Sequence, residues 1–523
     1  MTVQEATGLP AQRTRPQPQE LDRGHEPALG NRVRTGALWN AASNVLLRLG
    51  NILVLAVVAR IVSPAELGVF ALAAALQILV GDLAVLGVAS AVARADLDAD
   101  EIGPTVVTIS VASGLLLASI MAIWAAPLAS LLGAPAAEEA IRVLALSVAL
   151  TAALAVPTAQ LQRDFRQDVL FRANMVSLLP GSAVLIVRAT MGDGAVAFAW
   201  SRVIALVVTG YVLLRSLSTN YWPGLNPRYV RPLIRFGFPL AMANVLSQIL
   251  LNADYVFVGR LMSTVDVGLY MLAFQICTWP TALLGTVLNS TVLPAFSTLR
   301  RDGGDLGEAL AYGVRTVALM AAPIAAFTCA FATPLIITVY GEKWAPAGPV
   351  LSVLALYGLV FVLGLLFANV LISTGRTGVL FAVQIAALVV LLPALAVGVN
   401  LRGLVGVGIA HIVVISLVTL PAYLLAIRKA TGVGTPGLLR ALVRPVVAAV
   451  TAVFAARLAV AGLQADAGKL AIGLLTAGVV YIVLTAPLLL QLLPDRAAWA
   501  LRRAVALPRP PSRARHRLQD DGE

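Results

Sequence analysis

The sequence predicts an all-α polytopic membrane protein with about fourteen transmembrane helices, arranged as two parallel six-helix repeats followed by two extra C-terminal helices. Hydrophobic residues make up 59% of the 523-residue chain and charged residues only 12%, which is about half the charge of a soluble domain. Apolar stretches of about 20 residues recur along the chain, each long enough to cross a hydrocarbon core of about 30 Å. One short phrase also occurs twice, 200 residues apart.

Each transmembrane helix is predicted where such an apolar stretch is bounded by charged, proline or glycine residues. We call the stretches spans 1 to 14, and in chain order they lie near 37–60, 66–90, 103–126, 139–160, 169–190, 194–215, 233–258, 266–292, 308–331, 346–370, 377–398, 402–427, 439–461 and 468–492. The segments between them are short, so they leave no room for a folded soluble domain.

The spans divide the chain into six parts. These are a polar N-terminal segment at 1–36, an N-lobe of spans 1–6 at 37–216, a linker at 217–232, a C-lobe of spans 7–12 at 233–427, spans 13 and 14 at 428–493, and a basic tail at 494–523. Each lobe contains an even number of spans, so both lobes have the same orientation. This arrangement is a parallel repeat, related by an axis along the membrane normal.

The distribution of basic residues predicts how the chain is oriented. If the N-terminus is cytoplasmic, most arginines lie at inner loops, such as Arg163 and Arg166 after span 4 and Arg300 and Arg301 after span 8. We therefore expect a multi-pass protein of the inner, or plasma, membrane with both termini cytoplasmic. Since topology accounts for the net charge of +12, we expect no nucleic-acid partner.

The repeated phrase reads ARIVSPAELGVFALA at 59–73 and GRLMSTVDVGLYMLA at 259–273. The equivalent pairs are Arg60 and Arg260, Ser63 and Ser263, Glu66 and Asp266, Gly68 and Gly268, and Phe70 and Tyr270. The match extends upstream without a gap to 44–46 and 244–246. Each copy joins two spans, which indicates a duplicated membrane unit.

Polar side chains inside the spans mark a candidate substrate cavity, because a charge in hydrocarbon is costly and usually faces a cavity or a partner helix. Arg48 shares a face of span 1 with Asn44 and Asn51, and its planar guanidinium is suited to phosphate. The candidate cavity residues are Asn44, Arg48, Asn51, Gln77, Asn244, Gln248, Arg202 and Arg315. The alternative is that these groups only hydrogen-bond between packed helices.

Two aspartates inside spans are candidates for binding a coupling proton or sodium ion, namely Asp82 in span 2 and Asp254 in span 7. The alternative is that each one simply neutralises a nearby arginine. His411 in span 12 fits either a proton relay or helix packing.

Signatures of enzymes are missing from the sequence. Gly468 and Lys469 are followed by Leu470 rather than by serine or threonine, so they do not form a phosphate-binding loop, and no HExxH motif occurs. We therefore predict a protein that is not an enzyme, with no catalytic residues, no bound metal and no cofactor.

Several short motifs, in order along 35–380, carry a resemblance to a known family. They are the phrase at 59–73, LQRDFR at 161–166, NADYVFVGR at 252–260, LPAFS at 293–297 and YGEKW at 340–344. With these motifs the chain resembles polysaccharide-exporting flippases of the Wzx type, in the multidrug/oligosaccharidyl-lipid/polysaccharide (MOP) superfamily, and it is most similar to the subgroup that includes the colanic acid exporter.

The resemblance implies a MATE/MOP-like, two-lobed transporter that alternates between inward-open and outward-open states. Its substrate would be a polyprenyl-(pyro)phosphate-linked oligosaccharide, moved from the inner to the outer leaflet for lipopolysaccharide or exopolysaccharide synthesis. Membrane lipids, a polysaccharide polymerase and glycosyltransferases are the expected partners.

Two other functions remain open at this point. The first is a cation-coupled multidrug or metabolite antiporter of the same superfamily, and the second is a membrane glycosyltransferase or polymerase. The motifs at 59–73 and 340–344, together with spans 13 and 14, favour the flippase over the antiporter. The short loops argue against a glycosyltransferase.

Overall fold

A computed structural model of the chain describes residues 46–47, 50–87, 99–164, 166–217, 221–287, 306–374, 376–432 and 434–492. This part of the chain is helical and contains no strand. It places a helix at each of the predicted spans. In chain order these helices are Gly50–Ile61, Pro64–Ala84, Ala99–Ile123, Glu138–Arg163, Gln167–Thr190, Gly194–Ser216, Pro227–Leu261, Thr264–Val287, Leu306–Tyr340, Ala347–Ser373, Thr377–Val414 continuing to Thr431, Thr435–Ala459 and Asp466–Leu492.

Length and hydropathy support the membrane assignment. Within the described ranges, 10 helices are long and apolar enough to cross a membrane, and the bent pair Pro227–Ile249 and Leu251–Leu261 makes an eleventh candidate. One of the ten, Gly378–Lys429, holds both span 11 and span 12. The helix is broken between them at Arg402 and Gly403, and Gly403 has a φ of 56°, which favours glycine because it lacks a Cβ.

The first helix of the C-lobe begins earlier than the predicted boundary at 233. Span 7 starts at Pro227, and the side chain of Asn226 accepts a hydrogen bond from the backbone N–H of Arg228. Asparagine at the N-cap followed by proline at the first helical position is a strong helix start. The backbone N–H of Asn226 also donates a hydrogen bond to Oγ1 of Thr105, at 3.1 Å. This bond connects the end of the linker to span 3.

The repeated phrase forms the same helix start in both lobes. Ser63 Oγ accepts from the N–H of Glu66 at 3.3 Å, and Glu66 Oε2 accepts from the N–H of Ser63 at 2.7 Å. Ser263 and Asp266 make the equivalent pair of bonds, both at 3.2 Å. These reciprocal bonds are capping boxes that satisfy N–H groups at the starts of spans 2 and 8, which explains why a serine and an acid recur at this spacing.

The glycines of the phrase bring the two lobes together. A Cβ on Gly68 would lie 1.8 Å from the carbonyl oxygen of Thr264, and a Cβ on Gly268 would lie 1.9 Å from the carbonyl oxygen of Pro64. Spans 2 and 8 therefore cross with their backbones in contact, and equivalent residues meet. This is the geometry expected of two parallel repeats related by an axis between them.

The same end of the bundle is closed by hydrogen bonds between the lobes. Nη2 of Arg60 donates to the carbonyl of Thr338 at 2.9 Å, and Nη1 of Arg260 donates to the carbonyl of Ser130 at 3.4 Å. Nε1 of the fully buried Trp344 donates to the carbonyl of Ala59 at 2.8 Å. We call these contacts, together with the Gly68–Gly268 crossing, the interlobe seal.

One hydrophobic core lies behind the interlobe seal and includes residues of both lobes, among them Leu72, Ile141, Leu272 and Ile336. Spans 13 and 14 pack separately on span 9, where the hydroxyl of Tyr481 donates to the carbonyl of Leu319 at 2.9 Å. The lobes therefore share packing at the sealed end, and spans 13 and 14 are attached to the C-lobe.

Candidate functional site

The structure separates the predicted cavity residues into several groups. Asn44 and Arg48 lie outside the described residues. Asn51 on span 1 and Asn244 on span 7 are exposed, and neither forms a hydrogen bond with another described residue. Gln248 is half-buried and accepts two hydrogen bonds from Nδ2 of Asn252, at 2.9 Å to its carbonyl and 3.4 Å to its side chain.

On span 2, Gln77 is buried and Asp82 is half-buried. Asp82 has no ion-pair or hydrogen-bond partner in the described ranges, so the expectation that an arginine neutralises it finds no support there. Arg202 is exposed on span 6, which packs against spans 2, 4 and 5. Arg315 lies elsewhere, in a cavity beside span 13. The structure therefore does not bring Arg202 and Arg315 to the polar cluster described next.

Asp254 is the centre of a buried polar cluster between spans 7, 8, 10 and 12. Only 3% of its surface is exposed. Its Oδ2 accepts a hydrogen bond from the hydroxyl of Tyr270 at 2.6 Å, and its Oδ1 accepts from the backbone N–H of Tyr255 at 2.9 Å. Nε2 of His411 lies 3.7 Å from the same Oδ2. We call Asp254, Tyr270 and His411 the carboxylate–imidazole cluster.

The hydrogen bonds of His411 restrict where protons can be. Nδ1 lies 3.0 Å from the carbonyl oxygen of Val407, which can only accept, so we assign the Nδ1 proton to that bond. In a neutral ring, Nε2 then carries no proton. Its lone pair would then face Oδ2 of Asp254 across 3.7 Å, which is longer than a hydrogen bond.

Aromatic rings enclose this cluster. The His411 ring centroid lies 5.3 Å from that of Tyr357 and 6.1 Å from that of Phe274. Tyr255 and Tyr270 pack edge to face, with centroids 5.6 Å apart. Such a shell excludes water from a polar group, so any change in its charge must be compensated by its direct neighbours.

A cavity of about 240 Å³ gives access to His411 within the C-lobe. Its polar lining includes Ser247, Gln384 and Thr419. One wall is the π-helix Ile415–Thr419, directly after the histidine in span 12. Single turns of π-helix occur frequently at functional sites, and this one places Thr419 and Ile415 in the cavity wall.

The two lobes differ at this cluster although their backbones repeat. The ungapped match places Val54 opposite Asp254 and Phe70 opposite Tyr270. Phe70 stacks on Phe198, with ring centroids 4.9 Å apart, so the N-lobe has hydrocarbon where the C-lobe has a carboxylate and a hydroxyl. This difference was visible in the sequence and is the signal that could have identified Tyr270.

Outside the spans, Lys343 belongs to the interlobe seal. Its Nζ donates to the carbonyl of Arg60 at 3.1 Å. Partial burial lowers the pKa of Lys343, and the carboxylate of Glu66 opposes that shift. The side chain of Lys343 thus joins the two lobes at this junction through a backbone carbonyl of the other lobe.

Two six-helix lobes that meet at repeated helix starts, with a carboxylate and an imidazole buried close together beside a cavity, define a polytopic membrane transport protein. The chain belongs to the family described as polysaccharide biosynthesis protein, whose model matches residues 57–349. That match contains both copies of the repeated phrase. It confirms the resemblance that the sequence motifs indicated.

Individual relatives agree with the family match. The succinoglycan biosynthesis transport protein ExoT of Rhizobium meliloti is 27% identical over 331 residues, which are 62% of this chain and 66% of ExoT. The lipopolysaccharide biosynthesis protein WzxC of Escherichia coli is 22% identical over 417 residues, which are 77% of this chain and 83% of WzxC. Among solved structures, the lipid II flippase MurJ in an inward closed conformation aligns with a TM-score of 0.72 and 14% identity, covering 86% of this chain and 99% of MurJ. The all-α transporter fold is therefore confirmed.

Proposed function

We propose that the protein flips a polyprenyl-(pyro)phosphate-linked oligosaccharide from the inner to the outer leaflet by alternating access between the two lobes. Two observations support this proposal. The family match extends over parts of both lobes, and the two lobes are in contact at the interlobe seal. A sugar headgroup does not cross hydrocarbon unaided, because each unsatisfied hydroxyl costs several kcal/mol. A polar path between the lobes lets the headgroup cross while the polyprenyl chain stays in lipid.

The domain division, the orientation and the partners of the chain are part of this proposal. The N-lobe at 37–216 and the C-lobe at 233–427 rock against each other, and spans 13 and 14 at 428–493 move with span 9. Both termini are cytoplasmic in the inner membrane, so the interlobe seal faces outward. Glycosyltransferases supply the substrate at the inner face, a polymerase consumes it at the outer face, and the protein itself makes and breaks no covalent bond.

We propose a proton as the coupling ion and Asp254 with His411 as its site. The groups around Asp254 are a donating hydroxyl, a donating backbone N–H and an imidazole. Coupling sodium ions are usually held by oxygen acceptors such as unwound backbone carbonyls, and a donor-rich site of this kind suits a proton better. Among the described residues, Tyr255 and Tyr357 also have titratable groups that interact with Asp254.

Depletion of the protein tests the main proposal. In a depleted strain, lipid extracts should contain an accumulated lipid-linked oligosaccharide that enzymes added outside cannot reach, because it remains on the inner leaflet. Unchanged lipid-linked sugar combined with increased sensitivity to several drugs would favour the antiporter instead. Restoration of the normal lipid profile by the wild-type gene is the control.

Gradient dependence in proteoliposomes tests the coupling site. Wild-type protein should flip the lipid-linked sugar faster under a pH gradient than under a sodium gradient, and Asp254→Asn should remove the response to pH. Asp82→Asn is the matched variant in the N-lobe. If Asp82→Asn rather than Asp254→Asn abolishes the response, the coupling site lies in the N-lobe and the assignment to Asp254 is wrong.

A further inference from the structure

A second polar cavity lies far from the carboxylate–imidazole cluster, between spans 9, 13 and 14. Its volume is about 430 Å³, and Arg315, Arg440 and Arg444 all line it. The other lining residues are Gly437, Ala441 and Leu488. Three guanidinium groups from two helices therefore share one cavity, and none of the described residues that line it is an acid.

These arginines lack a counter-charge within the described part of the chain. None of the three takes part in an ion pair or a hydrogen bond with a described residue, whereas other arginines do, such as Arg142 with Glu138. Arg315 is half-buried, whereas Arg440 and Arg444 are exposed on span 13. Gathering three like charges raises their mutual repulsion. An anionic ligand would relieve that repulsion.

The cavity lies towards one end of the helix bundle. Arg315 and Arg444 are both nine residues from the first residue of their helices, which is about 14 Å along the helix axis. Leu488 lies near the end of span 14. The three helix ends that form the cavity are therefore at one side of the bundle, and the proposed orientation makes it the cytoplasmic side.

The surface next to the cavity is apolar and faces lipid. Leu439, Val443 and Val447 form a stripe along span 13 and are 52%, 56% and 57% exposed. This stripe is adjacent to the stripe that carries Arg440 and Arg444 at the same four-residue spacing. A ligand with an anionic head and a hydrocarbon chain could therefore fill the cavity with its head while its chain lies along these side chains.

We propose that the cavity of Arg315, Arg440 and Arg444 binds the phosphate headgroup of a membrane lipid. Guanidinium groups bind phosphate oxygens through two parallel hydrogen bonds, which ammonium groups do not reproduce. The lipid is either an anionic phospholipid of the leaflet or the polyprenyl diphosphate of a carrier lipid. The binding of a phospholipid at this site requires neither flipping nor the coupling role of Asp254.

Native mass spectrometry of the purified full-length protein tests this proposal. The probes are phosphatidylglycerol, undecaprenyl diphosphate, zwitterionic phosphatidylethanolamine and inorganic pyrophosphate. Substitution of all three arginines by glutamine should weaken binding of at least one anionic lipid by about fivefold per arginine removed. The matched control replaces Arg228, Arg231 and Arg235 at the start of span 7 by glutamine and removes the same charge. We expect less than about a threefold effect from it, which is smaller than the effect of removing one cavity arginine.

The probes separate the possible sources of the phosphate. Arginine-dependent binding of phosphatidylglycerol assigns the cavity to leaflet phospholipid, and selective binding of undecaprenyl diphosphate assigns it to the carrier. Equal effects of the two triple variants, or pyrophosphate binding as tight as that of the lipids, would overturn the proposal. If the triple variant is unstable, Arg444→Lys and Arg444→Gln replace it. Both should bind the anionic lipid more weakly than the wild-type protein, and binding by Arg444→Lys as tight as that of the wild type would overturn the bidentate contact.

Discussion

Replacing Gly68 with alanine adds a methyl group where the backbone of span 8 already lies. The new Cβ would be 1.8 Å from the carbonyl oxygen of Thr264, and real Cβ atoms essentially never come closer than 3.0 Å to such a neighbour. Spans 2 and 8 must therefore separate locally by at least the difference, 3.0 − 1.8 = 1.2 Å. The oxygen belongs to a capped helix start, so it cannot rotate away as a flexible side chain would.

The magnitude follows from two opposing effects. Overpacking of a well-packed contact costs about 1–3 kcal/mol, occasionally more, whereas alanine gains about 1 kcal/mol over glycine in a helix. We expect a net loss of about 0–2 kcal/mol relative to the wild type, and of about 1–3 kcal/mol relative to a glycine-to-alanine change without the clash. The second difference corresponds to a few degrees in melting temperature. Flipping should also slow, because the crossing lies in the interlobe seal, which must close once per cycle.

Gly81→Ala on the same helix is the matched control, since its Cβ would lie 3.6 Å from the side-chain nitrogen of Gln77 at ordinary contact distance. Thermal melting in detergent and flipping in proteoliposomes should both separate Gly68→Ala from Gly81→Ala. Gly268→Ala should behave like Gly68→Ala, and the double variant should lose less than the sum because both share one crossing. Identical melting of Gly68→Ala and Gly81→Ala would refute the close crossing.

Three further predictions concern other sites. Arg48→Ala should abolish flipping without loss of protein from the membrane if Arg48 binds the substrate phosphate, and normal flipping by this variant would remove Arg48 from the cavity. Tyr270→Phe removes the hydroxyl that donates to Oδ2 of Asp254, while Oδ1 keeps the backbone N–H of Tyr255. It should therefore destabilise the protein by about 1–3 kcal/mol and alter the pH profile of flipping, whereas Tyr255→Phe, whose backbone rather than hydroxyl contacts Asp254, should leave that profile unchanged. Ser63→Ala removes a helix cap and should cost about 1 kcal/mol in a chemical unfolding experiment, and no change in stability would argue that the capping box contributes nothing.

Apolar periodicity was enough to predict most of the fold. Stretches such as 194–215 and 169–190 match helices Gly194–Ser216 and Gln167–Thr190 closely, because a membrane-spanning chain must satisfy its backbone hydrogen bonds within each helix. The duplication could also be predicted from the sequence, because the repeated phrase at 59–73 and 259–273 shows it directly. The starts of helices were predicted less accurately. Span 7 begins at Pro227 rather than at 233, because the residues that cap a helix lie outside its apolar stretch.

The candidate site was predicted only in part. Asp254 was named as an ion-coupling candidate, but its partners come from spans 8 and 12, and nothing in the spacing of Tyr270 and His411 reveals their proximity. Arg315 was grouped with the central cavity because it is a cation inside a span. Its actual neighbours, Arg440 and Arg444, lie in span 13, outside the repeat on which the grouping was based.

The sequence by itself determined that the chain crosses the membrane as helices in two like-oriented units, because hydrophobic length and local capping act within each segment. Only the tertiary structure decided which polar groups surround Asp254, where the lobes touch and which arginines lack a counter-charge among the described residues. These properties depend on distances between helices far apart in the chain. A displacement of a few ångströms is enough to create or remove a hydrogen bond, while leaving the apolar pattern of every helix unchanged.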